Sequence, residues 1–354
     1  MEHLSQIASR LPEYGLDAML ITSAPGERYA LGFHGEGLVL VTREGAHYST
    51  DGRYIEAARA QVQGADVVLA TSARGHLALA EEFIRARGLS RVGFESGYLT
   101  VDSLRRYEEK LPCALVPAQK LLDGLRASKD GEELACMLTA QSITDQVFQD
   151  MLDFLRPGVT EREAAAHLVY RLLCRGGERV SFDPIVAAGP NGSKPHAVPG
   201  DTVIRPGMFV TMDFGCVWGG YCSDMTRTVA VGEPTGEMRR VYDVVLEAQR
   251  AGIADARAGV PGRDVDAAAR GVIEQAGYGE FFTHSFGHSL GLEIHESPNA
   301  SSSNPDPLPA GAVISAEPGI YLPGRFGVRI EDVLILDEEG CQDITRSPKE
   351  LIVL

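Results

Sequence analysis

The sequence predicts two domains of different class: an α/β domain over residues 1–125 and an α+β domain over residues 126–354. Helical and strand-like patterns alternate in the first part of the chain, and turn residues mark a boundary at 123–129. The second part repeats one helix–helix–hairpin unit. A chain of 354 residues is also too long for one small core and suits two domains.

The first domain begins with a predicted helix. Its apolar residues from Leu4 to Leu11 recur at helical spacing, and Gly15 ends it. Further elements are expected from apolar alternation and helical periodicity: strands at 17–22, 37–42 and 65–70, and helices at 76–87 and 102–111. Strands separated by helices indicate an α/β domain.

Two capping boxes predict helix starts in the second domain. Asp130 is followed three residues later by Glu133, and Thr160 by Glu163. In each pair the short side chain caps the helix, and the glutamate accepts a hydrogen bond from the backbone N–H of the capping residue. The first of these helices is expected to span about 131–155.

An internal repeat predicts pseudo-twofold symmetry in the second domain. The stretch 156–163 resembles 257–264, and each stands between two helical segments. Downstream, a glycine–acid–glycine spacing occurs twice in apolar strand-like runs, at Gly207, Asp213 and Gly215 and again at Gly311, Glu317 and Gly319. Two copies of this kind place two hairpins face to face, and each contributes an acid.

Composition excludes several classes of function. A formal charge of −16 argues against a nucleic-acid-binding surface, which needs a basic face. No apolar run reaches the ~20 residues of a membrane span, and the first residues lack the pattern of a signal peptide. The six cysteines are scattered without a CxxC pair, which indicates free thiols in a reducing compartment. A cytoplasmic protein without membrane or nucleic-acid partners is expected.

The first hairpin carries two acids in an apolar setting. Asp213 lies inside the run 208–214, and Asp224 follows eleven residues later. A turn at 217–220 would place the two carboxylates opposite each other. A buried acid is costly unless it is paired or binds a metal, and a divalent cation would remove the repulsion.

The second hairpin repeats this arrangement. Glu317 and Glu331 flank a turn at 323–325, and His288 lies in a glycine-containing stretch that lets a ligand approach closely. Four carboxylates and one imidazole make an oxygen-rich site, which favours Mn²⁺ or Co²⁺ over a thiolate-bound structural zinc. The number of acids suits two ions.

These motifs resemble the pita-bread metallopeptidases, which include Xaa-Pro dipeptidase (prolidase), Xaa-Pro aminopeptidase and methionine aminopeptidase. The resemblance covers nearly the whole chain and is carried by the stretches Pro195-His196, Met212–Gly215, Ser223–Thr228, Gly287–Glu296, Glu317–Tyr321 and Gly327–Asp332. It implies five metal ligands: Asp213, Asp224, His288, Glu317 and Glu331.

The resemblance also implies roles for residues around the ions. His196 and His295 would contact the substrate carbonyl and the tetrahedral intermediate, and His284 would line the proline pocket. Arg329 would lie at the substrate site and orient the ligand acids. From the chemistry of the site itself, we expect Glu317 to act as the proton carrier beside two divalent ions, Mn²⁺ first, with Co²⁺ or Zn²⁺ as alternatives.

The first domain favours the proline-specific branch, because methionine aminopeptidases usually lack a domain of this size and 50–54 resembles a stretch found in that branch. Xaa-Pro dipeptidase activity on small peptides with proline in the second position is expected, in a homodimer. One alternative is an Xaa-Pro aminopeptidase that acts on longer peptides. Another is a non-catalytic chain of this fold, such as a protein-binding relative without metals; creatine amidinohydrolase also has the fold without the metals.

Overall fold

The computed structural model describes residues 2–354, which divide into two compact units, one ending at Arg126 and the other spanning Ala127–Leu354. None of the helices in the described residues combines the length and the apolar composition of a membrane span. Each unit has its own sheets and its own buried apolar clusters.

The first unit is a mixed sheet with helices. Its strands are β1 (Ala18–Ile21), β2 (Leu38–Thr42), β3 (Gly45–Thr50), β4 (Ala65–Leu69), β5 (Arg91–Phe94) and β6 (Ala114–Pro117), in the spatial order β4-β3-β2-β1-β5-β6. Its helices are α1 (Glu2–Arg10), α2 (Ala24–Leu31), α3 (Ile55–Gln61), α4 (His76–Arg87), α5 (Val101–Lys110) and α6 (Gln119–Arg126).

A local signal explains where the first helix of this unit ends. A 3₁₀ turn extends α1 to Tyr14, and Gly15 ends it with φ of 62°, a left-handed conformation that favours glycine. β1 pairs antiparallel with β2 and parallel with β5. The sequence patterns did not predict α2, α3, α6, β3, β5 or β6.

The second unit contains four helices and thirteen short strands within the described residues. The helices are α7 (Gly131–Phe154), α8 (Glu161–Cys174), α9 (Gly236–Asp255) and α10 (Gly262–Gln275). The strands are β7 (Arg179–Val180), β8 (Ile185–Ala188), β9 (Met208–Phe214), β10 (Cys216–Trp218), β11 (Tyr221–Cys222), β12 (Met225–Val231), β13 (Gly287–Ser289), β14 (Glu296–Ala300), β15 (Val313–Ala316), β16 (Gly319–Leu322), β17 (Phe326–Arg329), β18 (Asp332–Leu336) and β19 (Cys341–Asp343). Four sheets result, in the orders β11-β10-β7, β12-β9-β8, β14-β13-β15-β18-β19 and β16-β17.

Both predicted capping boxes start helices. The side chain of Asp130 accepts hydrogen bonds at the start of α7, and the carboxylate of Glu133 accepts one from the backbone N–H of Asp130. Thr160 and Glu163 form the same reciprocal pair at the start of α8. The two boxes satisfy backbone N–H groups that a helix start leaves without partners.

The internal repeat is visible in the backbone hydrogen bonds that follow each copy's first helix. In the first copy Gly158 N donates to Ile204 O (3.0 Å) and Ile204 N to Val159 O (2.8 Å); in the second Gly259 N donates to Leu308 O (2.8 Å) and Leu308 N to Val260 O (2.9 Å). The same loop-to-strand link therefore occurs twice, about one hundred residues apart. The predicted α/β unit followed by an α+β unit with an internal repeat is confirmed.

Alternation along the central strands decides which side chains face the site. In β9, Val210 and Met212 pack in the cluster formed with α7 and α8. In the second copy, Ile314 and Ala316 of β15 pack in the cluster formed with α9 and α10. Because successive strand residues point to opposite faces, Asp213 points away from its helices. The period-two pattern places Glu317, three residues after Ile314, on the corresponding face.

Gly287 allows β13 to approach β15 closely. A Cβ atom at Gly287 would lie 1.9 Å from the carbonyl oxygen of Ser315, so any side chain there pushes the strands apart. Gly287→Ala is expected to lower stability by ~1–3 kcal/mol. Gly271→Ala on α10, where a Cβ meets open space, is the matched control and is expected to be neutral or stabilising. Equal thermal unfolding midpoints for the two variants would contradict this account.

Candidate metal centre

The first hairpin brings Asp213 and Asp224 together diagonally, so the prediction that they lie directly opposite is wrong. The ladder partner of Asp213 is Thr226, and Asp224 comes two residues earlier, just before β12. The reason is the two-residue turn at 219–220, whose glycines have φ of 59° and 86°. Positive φ at both central positions is the type I′ pattern of two-residue hairpins, and it fixes a register two residues further along than a four-residue turn.

The second hairpin places its acids as predicted. The β15–β18 ladder ends with Ala316 opposite Asp332, and the β16–β17 ladder continues in the same register beyond it. Glu317 and Glu331 therefore stand opposite each other between the two ladders. The chain reverses at the predicted turn, 323–325.

His288 is brought to these acids by β13. Its backbone N–H donates to Ser315 Oγ at 3.0 Å, and Ser315 Oγ–H donates to Glu317 Oε1 at 3.0 Å. The imidazole Nε2 lies 3.2 Å from Glu317 Oε1 and 3.6 Å from Asp224 Oδ2. One serine hydroxyl therefore joins the backbone of His288 to the carboxylate of Glu317.

The five predicted ligands converge on one buried place. Asp224, His288 and Glu331 each offer a donor atom within 4.8 Å of the others. Glu317 belongs to the same group of residues, because it contacts His288. Asp213 lies across the ladder from Thr226, whose hydroxyl donates to Glu331 Oε2 at 2.7 Å.

The donor set fits divalent cations. Asp213 Oδ1 and Asp224 Oδ1 are buried and have no hydrogen-bond partner within residues 2–354. A buried carboxylate oxygen without a partner is costly, and the cation that four carboxylates and an imidazole would bind removes that cost. The neighbouring guanidinium of Arg329 occupies only the other oxygen of Asp213, at 2.6 Å.

Burial and mutual repulsion raise the pKa values of three of the acids, Asp213, Asp224 and Glu331. Burial and the charge of Asp213 raise the pKa of Asp224 well above its ordinary value. Burial and the charge of Asp224 do the same to the pKa of Glu331. Burial also raises the pKa of Asp213, although Arg329 opposes the rise. A divalent ion would reverse this balance, because it stabilises the ionised carboxylates.

Glu317 and His288 form a charged pair in the metal-free chain. Burial opposes ionisation of Glu317, but the hydrogen bond and charge of His288 lower its pKa to about 2. Burial likewise opposes protonation of His288, but Glu317 and Asp224 raise its pKa to about 9. The imidazolium therefore partly neutralises the acids, and a cation would have to displace its proton.

Three further histidines predicted at the substrate site lie around this cluster. The ring of His295 is exposed and lies edge-on to His288, with centroids 4.4 Å apart. Its pKa is lowered by partial burial and then by the charge of His288. His196 is exposed, follows a 3₁₀ turn, and its charge contributes to the lowered pKa of both His295 and His284.

His284 is held in one tautomer by its neighbours. Its Nδ1 faces the carbonyl oxygen of Ser285 at 2.9 Å and must donate to it. Its Nε2 is 2.8 Å from the hydroxyl of Tyr321 and therefore accepts. Burial lowers the pKa of His284, which agrees with a neutral ring.

Arg329 is buried, and four of its five N–H groups donate to protein groups. Its guanidinium donates to Asp213 Oδ2 at 2.6 Å, to the hydroxyl of Tyr321 at 2.8 Å and to that of Thr226 at 3.0 Å. A fourth hydrogen bond goes to the carbonyl of Pro195 at 3.3 Å, next to His196. Arg329 therefore orients a candidate ligand, and its predicted contact with the substrate stays a prediction.

Sequence reasoning gave no role to three hydroxyl groups that hold the site together: those of Thr226, Ser315 and Tyr321. A signal for two of them was present. Thr226 and Ser315 are each two residues from a predicted ligand on the same chain, so strand alternation places them on the ligand face. For Tyr321, the hydrogen bonds to Arg329 and His284 depend on tertiary packing.

Two family profiles together match almost the whole chain. The profile of the creatinase/prolidase N-terminal domain matches residues 3–128. The profile of metallopeptidase family M24 matches residues 135–338, which is more than half of the chain and contains every candidate ligand.

Individual relatives are similar over nearly their full lengths. The uncharacterized peptidase YqhT of Bacillus subtilis is 40% identical over 99% of this chain and 99% of that protein. The structure of an Xaa-Pro dipeptidase from Bacillus anthracis has a TM-score of 0.96 and 40% identity, covering 100% of this chain and 99% of that one. An X-Pro aminopeptidase from Thermotoga maritima has a TM-score of 0.92 and 34% identity, covering 98% and 100%. With two matched domains and a centre of clustered acids, the chain belongs to metallopeptidase family M24.

Proposed function

We propose that the chain hydrolyses the peptide bond before proline with two divalent ions, Mn²⁺ first, held by Asp213, Asp224, His288, Glu317 and Glu331. The observation that carries the proposal is the convergence of four carboxylates and one imidazole, with two buried carboxylate oxygens that have no partner among the described residues. The choice of proline rests on the similarity to the Bacillus anthracis dipeptidase and the Thermotoga maritima aminopeptidase.

The residues divide the chemistry between them. Bound ions would lower the pKa of a water molecule to near neutral and so supply a nucleophile. Glu317 Oε1 accepts a hydrogen bond from Ser315, which leaves Oε2 to carry a proton toward the proline nitrogen. His295, which lies edge-on to His288, and His196 would stabilise the developing oxyanion.

Dipeptidase activity is the form of this function that we propose. The alternative, release of the first residue from longer Xaa-Pro peptides, is favoured by the similarity to the Thermotoga maritima aminopeptidase. The dipeptidase and the aminopeptidase differ in whether a protein group binds the free carboxylate of the proline residue. Arg325 is a candidate to bind that carboxylate; it pairs with Glu237, so the substrate would compete with this acid.

Hydrolysis of three peptides after metal removal tests the proposal. The full chain is stripped with a chelator and reloaded with Mn²⁺, Co²⁺ or Zn²⁺, and release of products from Ala-Pro, Ala-Pro-Ala and Ala-Ala is followed. We expect metal-dependent cleavage of Ala-Pro, slower cleavage of Ala-Pro-Ala and little of Ala-Ala. Faster cleavage of Ala-Pro-Ala would select the aminopeptidase. Full activity of the stripped chain, or no cleavage of any peptide with metal bound, would reject the proposal.

A further inference from the structure

The buried guanidinium of Arg227 connects the two hairpins by hydrogen bonds. We propose that Arg227 and Asp332 are positioning residues that set the spacing between the two halves of the candidate metal centre. The inference rests on the proposed function, because it concerns the same centre. Arg227 is 1% exposed and Asp332 is fully buried, and neither is among the candidate ligands.

Every donor of Arg227 is used. A guanidinium has five N–H groups, and that of Arg227 makes five hydrogen bonds. The acceptors are the carbonyl oxygens of Thr226 (2.9 Å), Glu331 (2.5 Å), Ser347 (2.8 Å) and Pro348 (2.9 Å) and the carboxylate of Asp332 (2.7 Å). One side chain therefore binds three segments: the first hairpin, the second hairpin and the segment 347–348.

Asp332 fixes the other side of the contact. Its Oδ1 accepts from Arg227, and its Oδ2 accepts from Gln249 of α9 at 2.7 Å and pairs with Lys349. The carboxylate therefore connects the residue after Glu331 to a helix of the second copy and to the C-terminal segment. Because Asp332 is buried, these contacts are not loosened by water.

Arg227 and Asp332 act on the candidate ligands through their direct neighbours in the chain. Arg227 follows Thr226, whose hydroxyl donates to the carboxylate of Glu331 and whose carbonyl accepts the backbone N–H of Glu331 at 3.1 Å. Asp332 follows Glu331 directly. Movement of Arg227 or Asp332 therefore shifts Glu331 relative to the first hairpin, which carries Asp213 and Asp224.

The chemistry of the pair favours a positioning role over a contribution to stability. A buried ion pair is weak evidence for stability, because removing two charges from water costs as much as their attraction returns. The ion pair constrains the geometry more than it adds to stability, because the planar guanidinium holds five acceptors at once. Lysine keeps the charge but has three donors, so Arg227→Lys cannot hold all five acceptors.

The test is a Co²⁺ titration of the full chain, followed by visible absorption and by calorimetry, at a temperature well below the unfolding of each variant. The variants are Arg227→Lys and Asp332→Asn. The control is Asp150→Asn, which breaks the ion pairs of Arg171 and Arg175 with α7. We expect Co²⁺ affinity to fall ~10–100-fold in both variants, with a changed absorption spectrum, and to stay unchanged in the control.

Each outcome decides one question. If the unaltered chain binds no Co²⁺ or Mn²⁺, the proposed function fails. If it binds and both variants bind with the same affinity and spectrum, the positioning role alone is overturned, even where their melting temperatures fall. If Arg227→Lys does not fold, the titration of Asp332→Asn decides. If neither folds, the pair is a folding requirement and the inference is rejected.

Discussion

Replacing Glu331 with glutamine is expected to abolish hydrolysis and to stabilise the metal-free chain at the same time. Loss of a metal ligand removes several kcal/mol of transition-state stabilisation, and about 1.4 kcal/mol corresponds to tenfold, so activity should fall at least about a thousandfold. In the metal-free chain, burial and the charge of Asp224 raise the pKa of Glu331, so folding costs free energy that a neutral glutamine avoids. The melting temperature without metal should therefore rise.

The opposite signs of these two effects separate a metal ligand from an ordinary buried acid. Thermal unfolding is measured with a chelator and with saturating Mn²⁺, and Mn²⁺ should stabilise the unaltered chain far more than Glu331→Gln. Glu338→Gln, an exposed acid in the turn after β18, is the matched control and should change neither quantity. A metal-free Glu331→Gln chain that melts lower than the unaltered chain would contradict the assignment.

The stability of the metal-free chain is expected to fall as pH rises from about 6.5 to 9. The pKa of His288 is raised from 6.5 to about 9, so its contribution is complete below 6.5 and is lost as pH rises through 9. This shift corresponds to about 3 kcal/mol. The raised pKa values of Asp224 and Glu331 act in the same direction, with a loss that begins near the ordinary range of carboxyl groups.

Glu317 sets the acid limit of this profile. Its pKa is lowered to about 2, so its contribution is present above its ordinary value of 4.5 and is lost as pH falls through 2. With saturating Mn²⁺ the slope above pH 6.5 should reverse, because the ligands bind metal only after they lose their protons. Parallel melting-temperature profiles with and without Mn²⁺ between pH 6.5 and 9 would contradict a centre at His288.

The sequence predicted those features that follow from local patterns. The capping boxes at Asp130 and Thr160 mark helix starts because a short polar side chain satisfies backbone donors wherever the chain turns into a helix. The acids Asp213 and Glu317 were found because a charge inside an apolar strand has few explanations. Both signals lie within a few residues of the feature that they predict.

The features that were missed or misplaced depend on tertiary context. The diagonal offset of Asp213 and Asp224 follows from a two-residue type I′ turn at 219–220, which shifts the strand register by two residues from that of the four-residue turn predicted at 217–220. Sequence reasoning gave Arg227 no role of its own, and only the packed chain shows its five acceptors. Long-range pairing of this kind leaves no periodic signal along the sequence.

The duplicated architecture has a consequence for the order of assembly. Asp213 and Asp224 come from the first copy, and Glu317 and Glu331 from the second, so neither half has a complete set of donors. We therefore expect full cation affinity to appear only after both apolar clusters have formed and packed together. In the metal-free chain, burial of apolar side chains in each copy has to offset the cost of the buried acids, and bound ions would add stability to a fold that already exists.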